Sequence, residues 1–255
     1  MTTYFIGDLH GYADQYENLL KSVGLCDEAL SWTGGDATLW LMGDFFDRGQ
    51  SGIRCIDLTM KLQTEASLAG GRVESLLGNH ELMILCAYLF EKDGHKSDLY
   101  EQWIRWGGIA ADFEGFGDHH AAWISELPAM ARVNDMLLMH ADAMLYVDYG
   151  TTIDAVNDSF KALIASRDLN AWSNCLSSFS EHNTFCGLEM TGKKRAEQLL
   201  RLYGGELIVH GHTPIPDARR VPAEEVIEPW QYAGGRCLNL DGGMYLGGPG
   251  FVYQV

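Results

Sequence analysis

Short apolar runs are spaced along the chain, and each ends abruptly at Asp, Asn or His. Most stop at or beside a glycine, which lets the backbone turn sharply. Apolar runs bounded by turn residues are typical of buried β-strands. The runs are Tyr4–Ile6, Thr38–Met42, Val73–Leu77, Met136–Met139 and Leu207–Val209.

Amphipathic helices are predicted after each of the first three runs. Apolar residues recur at helical spacing over Tyr12–Val23, Ile53–Leu68 and His80–Phe90. Strands that alternate with helices in this order pair in parallel and form an α/β fold. Ligand sites of such sheets lie at the carboxyl ends of the strands, where the polar residues of this chain are found.

The segment 91–134 interrupts the alternation. It contains three tryptophans and helical stretches but no convincing strand, which predicts a helical insertion that could roof the site. The alternative is a helical packing layer with its aromatic residues in the core. Helices are also predicted over 151–179 and 193–203, and the glycine-rich tail 221–255 is predicted to form antiparallel strands that close a second sheet. Residues 1–255 are predicted to form one domain.

Charge and composition limit the partners. The formal net charge of −17 opposes binding to nucleic-acid backbones and anionic membranes. The excess of acidic residues either confers solubility or favours the binding of basic phosphopeptides. The six cysteines are scattered without a CxxC pair, which predicts reduced thiols. With no leader-like N-terminus and no membrane-spanning run, the sequence predicts a cytoplasmic protein. It does not determine the oligomeric state.

The residues at the strand ends are suited to binding two divalent metal ions. Such a pair needs a bridging carboxylate and further N or O ligands. Ligands without thiolates favour Mn²⁺, with Fe and Zn²⁺ as alternatives, and a water between the metals would attack phosphorus. The predicted ligands are Asp44 as the bridge, Asp8 and His10 for one metal, and Asn79, His140 and His212 for the other.

Three further residues are predicted to act on the substrate. His80 directly follows Asn79 and is free to protonate the leaving oxygen. Asp47 would hold the tautomer of His80 and raise its pKa, and Arg48 offers a two-pronged donor to phosphate oxygens. Taken alone, the cluster from Asp44 to Arg48 could equally be a solvated turn.

Other polar residues near these motifs have simpler interpretations. His210 is predicted not to bind metal, and Glu81 to be a helix N-terminal residue favoured by the helix dipole. Asp142 and Asp241 either orient ligand histidines or are turn residues. The remaining histidines are predicted to be exposed, namely His95, His119, His120 and His182.

The motifs GDLHG, GDFFDRG, GNHE and GHT occur in this order, with His140 before the last. In this the chain resembles the calcineurin-like metallophosphoesterases, and most of all their serine/threonine phosphoprotein phosphatase branch, which includes the bacterial diadenosine tetraphosphatases. The resemblance implies a two-sheet β-sandwich flanked by helices, and the metal, acid and phosphate roles given above.

The chain departs from the pattern of its apparent relatives in two ways. Pro214 stands where many members of the wider superfamily have a second metal-binding histidine, as it does in the phosphoprotein phosphatase branch. That branch also has a second phosphate-binding arginine between the His140 and His212 motifs. Arg167, Arg195 and Arg201 lie in that interval, but none has a matching context.

The predicted function is hydrolysis of phosphomonoesters, with phosphoserine, phosphothreonine or phosphotyrosine in proteins as the first candidates. Small phosphorylated molecules such as dinucleoside polyphosphates are the alternative. A non-catalytic scaffold is a third interpretation. It is disfavoured because a scaffold has no need of the acid pair His80 and Asp47.

Overall fold

The computed structural model describes residues 2–92, 99–186 and 189–255. Its strands are β1 Thr3–Ile6, β2 Thr38–Leu41, β3 Arg72–Ser75, β4 Met130–Val133, β5 Met136–Met139, β6 Leu207–His210, β7 Trp230–Tyr232, β8 Cys237–Asn239 and β9 Val252–Gln254. Its α-helices are α1 Ala13–Ser22, α2 Gly52–Ala69, α3 Asn79–Lys92, α4 Leu99–Arg105, α5 Ala110–Gly115, α6 Asp118–Glu126, α7 Ile153–Ala165, α8 Leu169–Phe179, α9 Glu189–Tyr203 and α10 Ile215–Arg219.

The first sheet has the strand order β3-β2-β1-β9. Strands β1, β2 and β3 run parallel, with Thr38 of β2 opposite both Thr3 and Arg72, as the alternation of strands and helices predicts. Helices α1 and α2 form the crossovers and contact each other. Parallel pairing places the carboxyl ends of β1, β2 and β3 at one edge of the sheet.

The second sheet has the strand order β4-β5-β6-β8-β7. Its central strands β5, β6 and β8 run parallel, while β4 and β7 pair antiparallel at the two edges. The carboxyl ends of β5 and β6 therefore also share an edge, and His140 and His212 follow these two strands.

The two sheets pack face to face over a compact apolar core. Phe5, Met42 and Leu76 come from the side of the first sheet, and Leu138 and Val209 come from the second. Side chains of opposite orientation on the same strands pack under the helices in the larger hydrophobic cluster. The predicted α/β fold with a two-sheet sandwich is confirmed.

The segment 91–134 differs from its prediction at its end. Helices α4, α5 and α6 agree with a helical insertion, but Met130–Val133 forms β4 and pairs antiparallel with β5. Val133 is opposite Met136, so Asn134 and Asp135 form a two-residue turn. Asn134 has a φ of 53°, a conformation that asparagine tolerates well in tight hairpins.

The C-terminal tail also differs in part from its prediction. Strands β7 and β8 do form an antiparallel pair in the second sheet, but β8 runs parallel to β6. Strand β9 joins the first sheet instead, antiparallel to β1. The predicted helical stretch 151–179 is two helices, because the Asp168 side chain accepts hydrogen bonds from the first backbone amides of α8 and begins a new helix there.

The state of the cysteines agrees with the prediction of reduced thiols. In the described chain all six are free thiols, and only Cys186 is partly exposed. Among the described helices, none is both long enough and apolar enough to cross a membrane.

Candidate metal centre

The loops after β1, β2, β3, β5 and β6 bring the predicted metal ligands together at one edge of the sandwich. Several of these loops turn through left-handed backbone conformations, with φ of 44° at His10, 55° at Asp44 and 68° at His212. Non-glycine residues adopt this region at an energetic cost, so the surrounding fold imposes the turns. The sharp turns indicated by the glycines are thus made partly by the polar residues themselves.

Asp44 lies at the centre of the cluster and is buried. Its Oδ2 lies 3.7 Å from His10 Nε2 and 3.9 Å from His80 Nε2, and its Oδ1 lies 3.3 Å from His140 Nε2. It belongs to two groups whose ligand atoms lie within 4.8 Å of one another, one with His10 and His80 and one with His140 and His212. Asp44 is therefore shared by these two groups of described residues.

Lone pairs converge between His140, Asn79 and Asp44. His140 Nδ1 donates a hydrogen bond to Met42 O at 2.7 Å, which leaves a lone pair on Nε2 of the neutral ring. That Nε2 lies 3.0 Å from Asn79 Oδ1, which is also 2.9 Å from His212 Nδ1. Burial lowers the pKa of His140, but Asp44, Asp8 and the hydrogen bond to Met42 O together raise it to about 10, so without a cation Nε2 carries a proton in place of that lone pair. The site thus favours a positive charge, whether a proton or a cation.

Asp8 has a carboxylate oxygen suited to a cation. Its Oδ2 accepts a hydrogen bond from His212 N at 2.8 Å, while its buried Oδ1 has no hydrogen-bond partner in the described part of the chain. A Cβ on Gly211 would lie 1.9 Å from that Oδ1, so the close approach needs glycine. Burial, the neighbouring Asp241 and Asp44 raise the pKa of Asp8 well above its usual value. A buried oxygen of this kind needs a compensating positive partner.

Glu81 holds the loops that carry the ligands. It lies in the first turn of α3, as predicted, but its buried carboxylate also accepts hydrogen bonds from three backbone amides. The donors are Asp44 N and Phe45 N at 2.8 Å and Gly78 N at 3.0 Å. Burial and the nearby Asp44 raise the pKa of Glu81 to about 7. Its structural role is therefore larger than the helix dipole suggests.

His80 and Asp47 form a buried pair beside the cluster. His80 Nδ1 hydrogen-bonds Asp47 Oδ2, and the indole N–H of Trp103 donates to both Asp47 oxygens, at 2.9 and 3.1 Å. Burial lowers the pKa of His80, but Asp44 and Asp47 outweigh it and raise the pKa above its usual value. Trp103 was not identified as a site residue from the sequence.

A cavity of about 650 Å³ opens over this arrangement. His10, Asp44, Asn79, His80 and His212 form its floor, whereas Asp8, Asp47 and His140 lie buried beneath. Helices α4 and α8 provide the walls; α8 lies in the predicted helical stretch 151–179, but its place in the cavity wall was not predicted from the sequence. The wall residues include Gln102, Arg105, Trp106, Trp172, Ser173 and Leu176.

Two arginines reach the cavity. Arg48 places its guanidinium carbon 5.4 Å from the ring centroid of Tyr245, and Arg105 lies at the end of α4. None of the ion pairs found among the described residues uses either guanidinium. Of the three arginines between the motifs, Arg195 donates to Thr184 O, and none of the three belongs to the described lining of this cavity.

The histidines outside the motifs have mixed outcomes. His119 and His182 are exposed as predicted, and the His182 ring also stacks on His212 with centroids 4.1 Å apart. The prediction for His120 is wrong, because it is buried and its Nε2 lies 2.9 Å from Asp57 Oδ1. His95 lies outside the described residues.

Three further residues lie just behind the ligands: His210, predicted not to bind metal, and Asp142 and Asp241, predicted either to orient ligand histidines or to be turn residues. His210 Nε2 lies 2.8 Å from the Tyr232 hydroxyl, and neither described group around Asp44 includes it. Asp142 accepts a hydrogen bond from the Thr213 hydroxyl, next to His212. Asp241 accepts from Gly243 N, while its buried Oδ2 has no partner among the described residues.

The donor set fits divalent cations, since imidazole, carboxylate and amide ligands converge without thiolates and leave buried carboxylate oxygens unpartnered. A two-sheet α/β sandwich with such a cluster, an acid pair and an arginine at the carboxyl ends of its strands defines the class of metal-dependent phosphoesterases. The model of the calcineurin-like phosphoesterase family matches residues 1–216. The chain belongs to this family, and the resemblance read from its motifs is confirmed.

Two curated relatives and one solved structure resemble the chain. Shewanella-like protein phosphatase 1 of Plasmodium berghei is 26% identical over 94% of this chain and 66% of its own length. A symmetrical bis(5'-nucleosyl)-tetraphosphatase of Buchnera aphidicola is 28% identical over 59% of this chain and 47% of its own. The chain thus spans less than two thirds of either relative.

The solved structure is a cold-active protein-tyrosine phosphatase of a psychrophile, Shewanella sp. It has a TM-score of 0.75 and 21% identity over 99% of this chain and 74% of its own. At that identity the likeness supports the fold alone, and it extends over nearly every residue of this chain.

Proposed function

We propose that the protein is a metal-dependent phosphomonoesterase that acts on phosphorylated side chains of proteins. The observation that carries the proposal is the buried His80–Asp47 pair set beside the Asp44-centred cluster on the floor of one cavity. The match to a protein phosphatase along 94% of the chain supports a protein substrate. Phosphoserine, phosphothreonine and phosphotyrosine all fall within this class.

Two divalent cations are proposed as cofactors, Mn²⁺ first and Fe or Zn²⁺ as alternatives. When bound, they would supply Lewis-acid activation of water and of the phosphoryl group. The proposed ligands are the six residues identified in the sequence, with Asp44 shared. These are Asp8, His10, Asp44, Asn79, His140 and His212.

The remaining roles belong to side chains around the floor of the cavity. His80 holds a proton for the leaving oxygen on its Nε2, because its Nδ1 is engaged by Asp47. Arg48 binds phosphate oxygens from the rim, where its guanidinium stands over Tyr245. Helices α4 and α8 roof the cavity and exclude water from part of the substrate, within one domain that spans residues 1–255.

Dinucleoside polyphosphates are the second candidate substrates. The cavity wall carries the exposed indole of Trp106, on which a nucleobase could stack, and Arg105 could bind a further phosphate. The relative named as a bis(5'-nucleosyl)-tetraphosphatase supports this alternative over 59% of the chain.

The test is a substrate panel with the purified protein and Mn²⁺. Phosphoserine, phosphothreonine and phosphotyrosine peptides are compared with diadenosine tetraphosphate and p-nitrophenyl phosphate by kcat/KM. We expect the highest kcat/KM for a phosphopeptide. A higher value for diadenosine tetraphosphate would favour the second candidate, and no turnover of any of them with Mn²⁺, Fe or Zn²⁺ would refute both.

A further inference from the structure

The insertion between α3 and β4 contacts Asp47 of the acid pair on the side away from the cavity. Asp47 is fully buried, with a φ of 73°, and cannot reach solvent for hydrogen bonds. The described contacts to its carboxylate come from His80 Nδ1 and from the Trp103 indole, which donates to both oxygens. A buried carboxylate takes its orientation from its few donors.

Trp103 itself lies outside the cavity. It is buried, and the cavity is lined instead by Gln102 and Arg105 of α4 and by Trp106 directly after this helix. The indole therefore cannot touch a substrate on the cavity floor. Its direct contact with the acid pair is the hydrogen bond to Asp47.

The indole is held rigidly on several sides. Its ring packs against Tyr100 and Phe113, with centroids 5.8 and 5.7 Å away. A Cβ on Gly108 would lie 2.5 Å from the Trp103 ring, so the chain passes directly against the indole after α4. A clamped indole fixes its N–H in space, which is what a hydrogen bond needs to set the plane of a carboxylate.

The same segment also fixes the next residue of the motif. Arg48 N donates a hydrogen bond to Gly107 O at 3.0 Å. Gly107 has a φ of 104°, and its Cα faces the Arg48 guanidinium. A Cβ there would lie 2.8 Å from an Arg48 terminal nitrogen. The Gly107–Gly108 pair thus lets one insertion support both Asp47 and Arg48.

We infer that Trp103 is a positioning residue for the acid pair, whose indole N–H orients the Asp47 carboxylate and through it the His80 ring. The inference rests on the proposed function. It makes a specific claim, because general acid catalysis matters most when the leaving oxygen is a poor leaving group. Loss of the indole N–H should therefore slow some substrates much more than others, whereas a purely structural role would slow all alike.

The experiment compares kcat and KM of Trp103→Phe with the intact enzyme, on p-nitrophenyl phosphate and on phenyl phosphate, a poorer leaving group. We expect kcat to fall about 10- to 100-fold on phenyl phosphate, a fraction of the full effect of a general acid, and less than about threefold on p-nitrophenyl phosphate. KM should change little on either. An equal loss on both substrates would overturn the inference.

The matched control is Trp123→Phe. The Trp123 indole also donates a 2.9 Å hydrogen bond to a side-chain oxygen, that of Gln63, away from the cavity. Its loss should affect both phosphate esters equally. Inactivity of the intact enzyme on both esters would instead count against the proposed function, so the two failures are distinguishable.

A double-mutant cycle adds a second measurement. If Trp103 acts through Asp47, the double variant Asp47→Asn with Trp103→Phe should be as active as Asp47→Asn alone, within about twofold. Multiplying losses would contradict the inference. If Trp103→Phe does not fold, replacement of Trp103 by benzothienylalanine keeps the ring shape without the N–H donor, and the same selective loss is expected.

Discussion

The pKa values of two neighbouring carboxylates of the centre are shifted in opposite directions. Burial alone raises the pKa of Asp44, but His140 and His80 outweigh it and hold the pKa well below its usual value. Asp8 has fewer compensating partners, and its pKa is raised by burial, Asp241 and Asp44. Asp44 thus ionises at a lower pH than Asp8.

His80→Asn tests the proposed proton donor. Asparagine keeps a polar side chain but cannot supply the proton to the leaving oxygen, so kcat should fall roughly 10²- to 10⁴-fold. Bound Mn²⁺ should remain at two ions per chain by elemental analysis. Steady-state kinetics on a phosphopeptide provide the measurement.

The control for this substitution is His119→Asn, since His119 is exposed on α6. It should keep full activity. If His80→Asn also kept full activity, His80 would have no part in the reaction. If it lost its metal, His80 would have to be counted as a ligand, in keeping with its place in the group with His10 and Asp44.

At the residue scale, the sequence indicates the residues directly after each strand but not their neighbours in the folded core. The adjacent glycines reveal Asp8, Asp44 and Asn79 because a strand, a turn and a ligand are local features. The contact between Trp103 and Asp47 joins residues 56 positions apart. A tryptophan in an aromatic helix is consistent with any core, so no local pattern predicts this contact.

Helix α2 takes its cap from another element. Its N-cap residue Ser51 makes no side-chain cap hydrogen bond in the described structure. Asp112 of α5 instead accepts a hydrogen bond from Ile53 N at 3.2 Å. A helix N-terminus gains from such an acceptor, and α2 begins only a few residues after Asp47 and Arg48. The insertion therefore stabilises the start of the helix that follows Asp47 and Arg48.

Asp112→Asn tests this cap through its pH dependence. Burial raises the pKa of Asp112 from its usual 3.8 to about 6, so the folded state binds this proton more tightly than the unfolded state. The stability contributed by the proton is present below about pH 4 and is lost as the pH rises through about 6. The free energy of unfolding of the wild type should fall relative to Asp112→Asn by about 1–2 kcal/mol across this window.

Urea unfolding of both metal-free proteins at several pH values measures the difference. Metal-free protein is used because acid would otherwise release cations from the centre. A difference that stays constant across the window would contradict the assigned proton, and one that rises with pH would show that the ionised form is the favoured one.

At the element scale, local signals predict the regular β-α-β core but not the strands added at its edges. Strand β4 was missed because its four residues Met130–Val133 come after three helices and have no helix after them. The Asn134–Asp135 turn was the available signal for a hairpin. The partner of β9 depends on which sheet has a free edge, and that is a property of the whole fold.

Across the whole molecule, buried carboxylates are concentrated at one edge of the sandwich. Asp8, Asp44, Glu81 and Asp241 are all buried there, in a chain of net charge −17. Removing bound cations would leave these carboxylates to be protonated or to repel one another. The centre is therefore expected to contribute to stability as well as to catalysis.

Removal of metal should lower Tm. A cation present at about a hundred times its Kd stabilises the folded state by about 2.7 kcal/mol, which corresponds to about 5–10 °C in a chain of this size. Thermal unfolding with Mn²⁺ and with a chelator gives the comparison.

Two variants sharpen this measurement. Asp44→Asn should abolish the response of Tm to Mn²⁺, since the shared ligand is lost. Asp154→Asn removes an exposed carboxylate on α7 and should leave the response intact. A Tm that responds to Mn²⁺ equally in all three proteins would place the stabilising ion elsewhere.

The pairing of β9 with β1 has a consequence for biosynthesis. Thr3 and Val255 exchange two backbone hydrogen bonds, of 3.0 and 2.9 Å, across the full length of the sequence. During synthesis the open edge of β1 is exposed early, yet its partner β9 is translated after all the other described strands. The first sheet therefore stays unfinished, with one free edge, until residues 252–254 have left the exit tunnel.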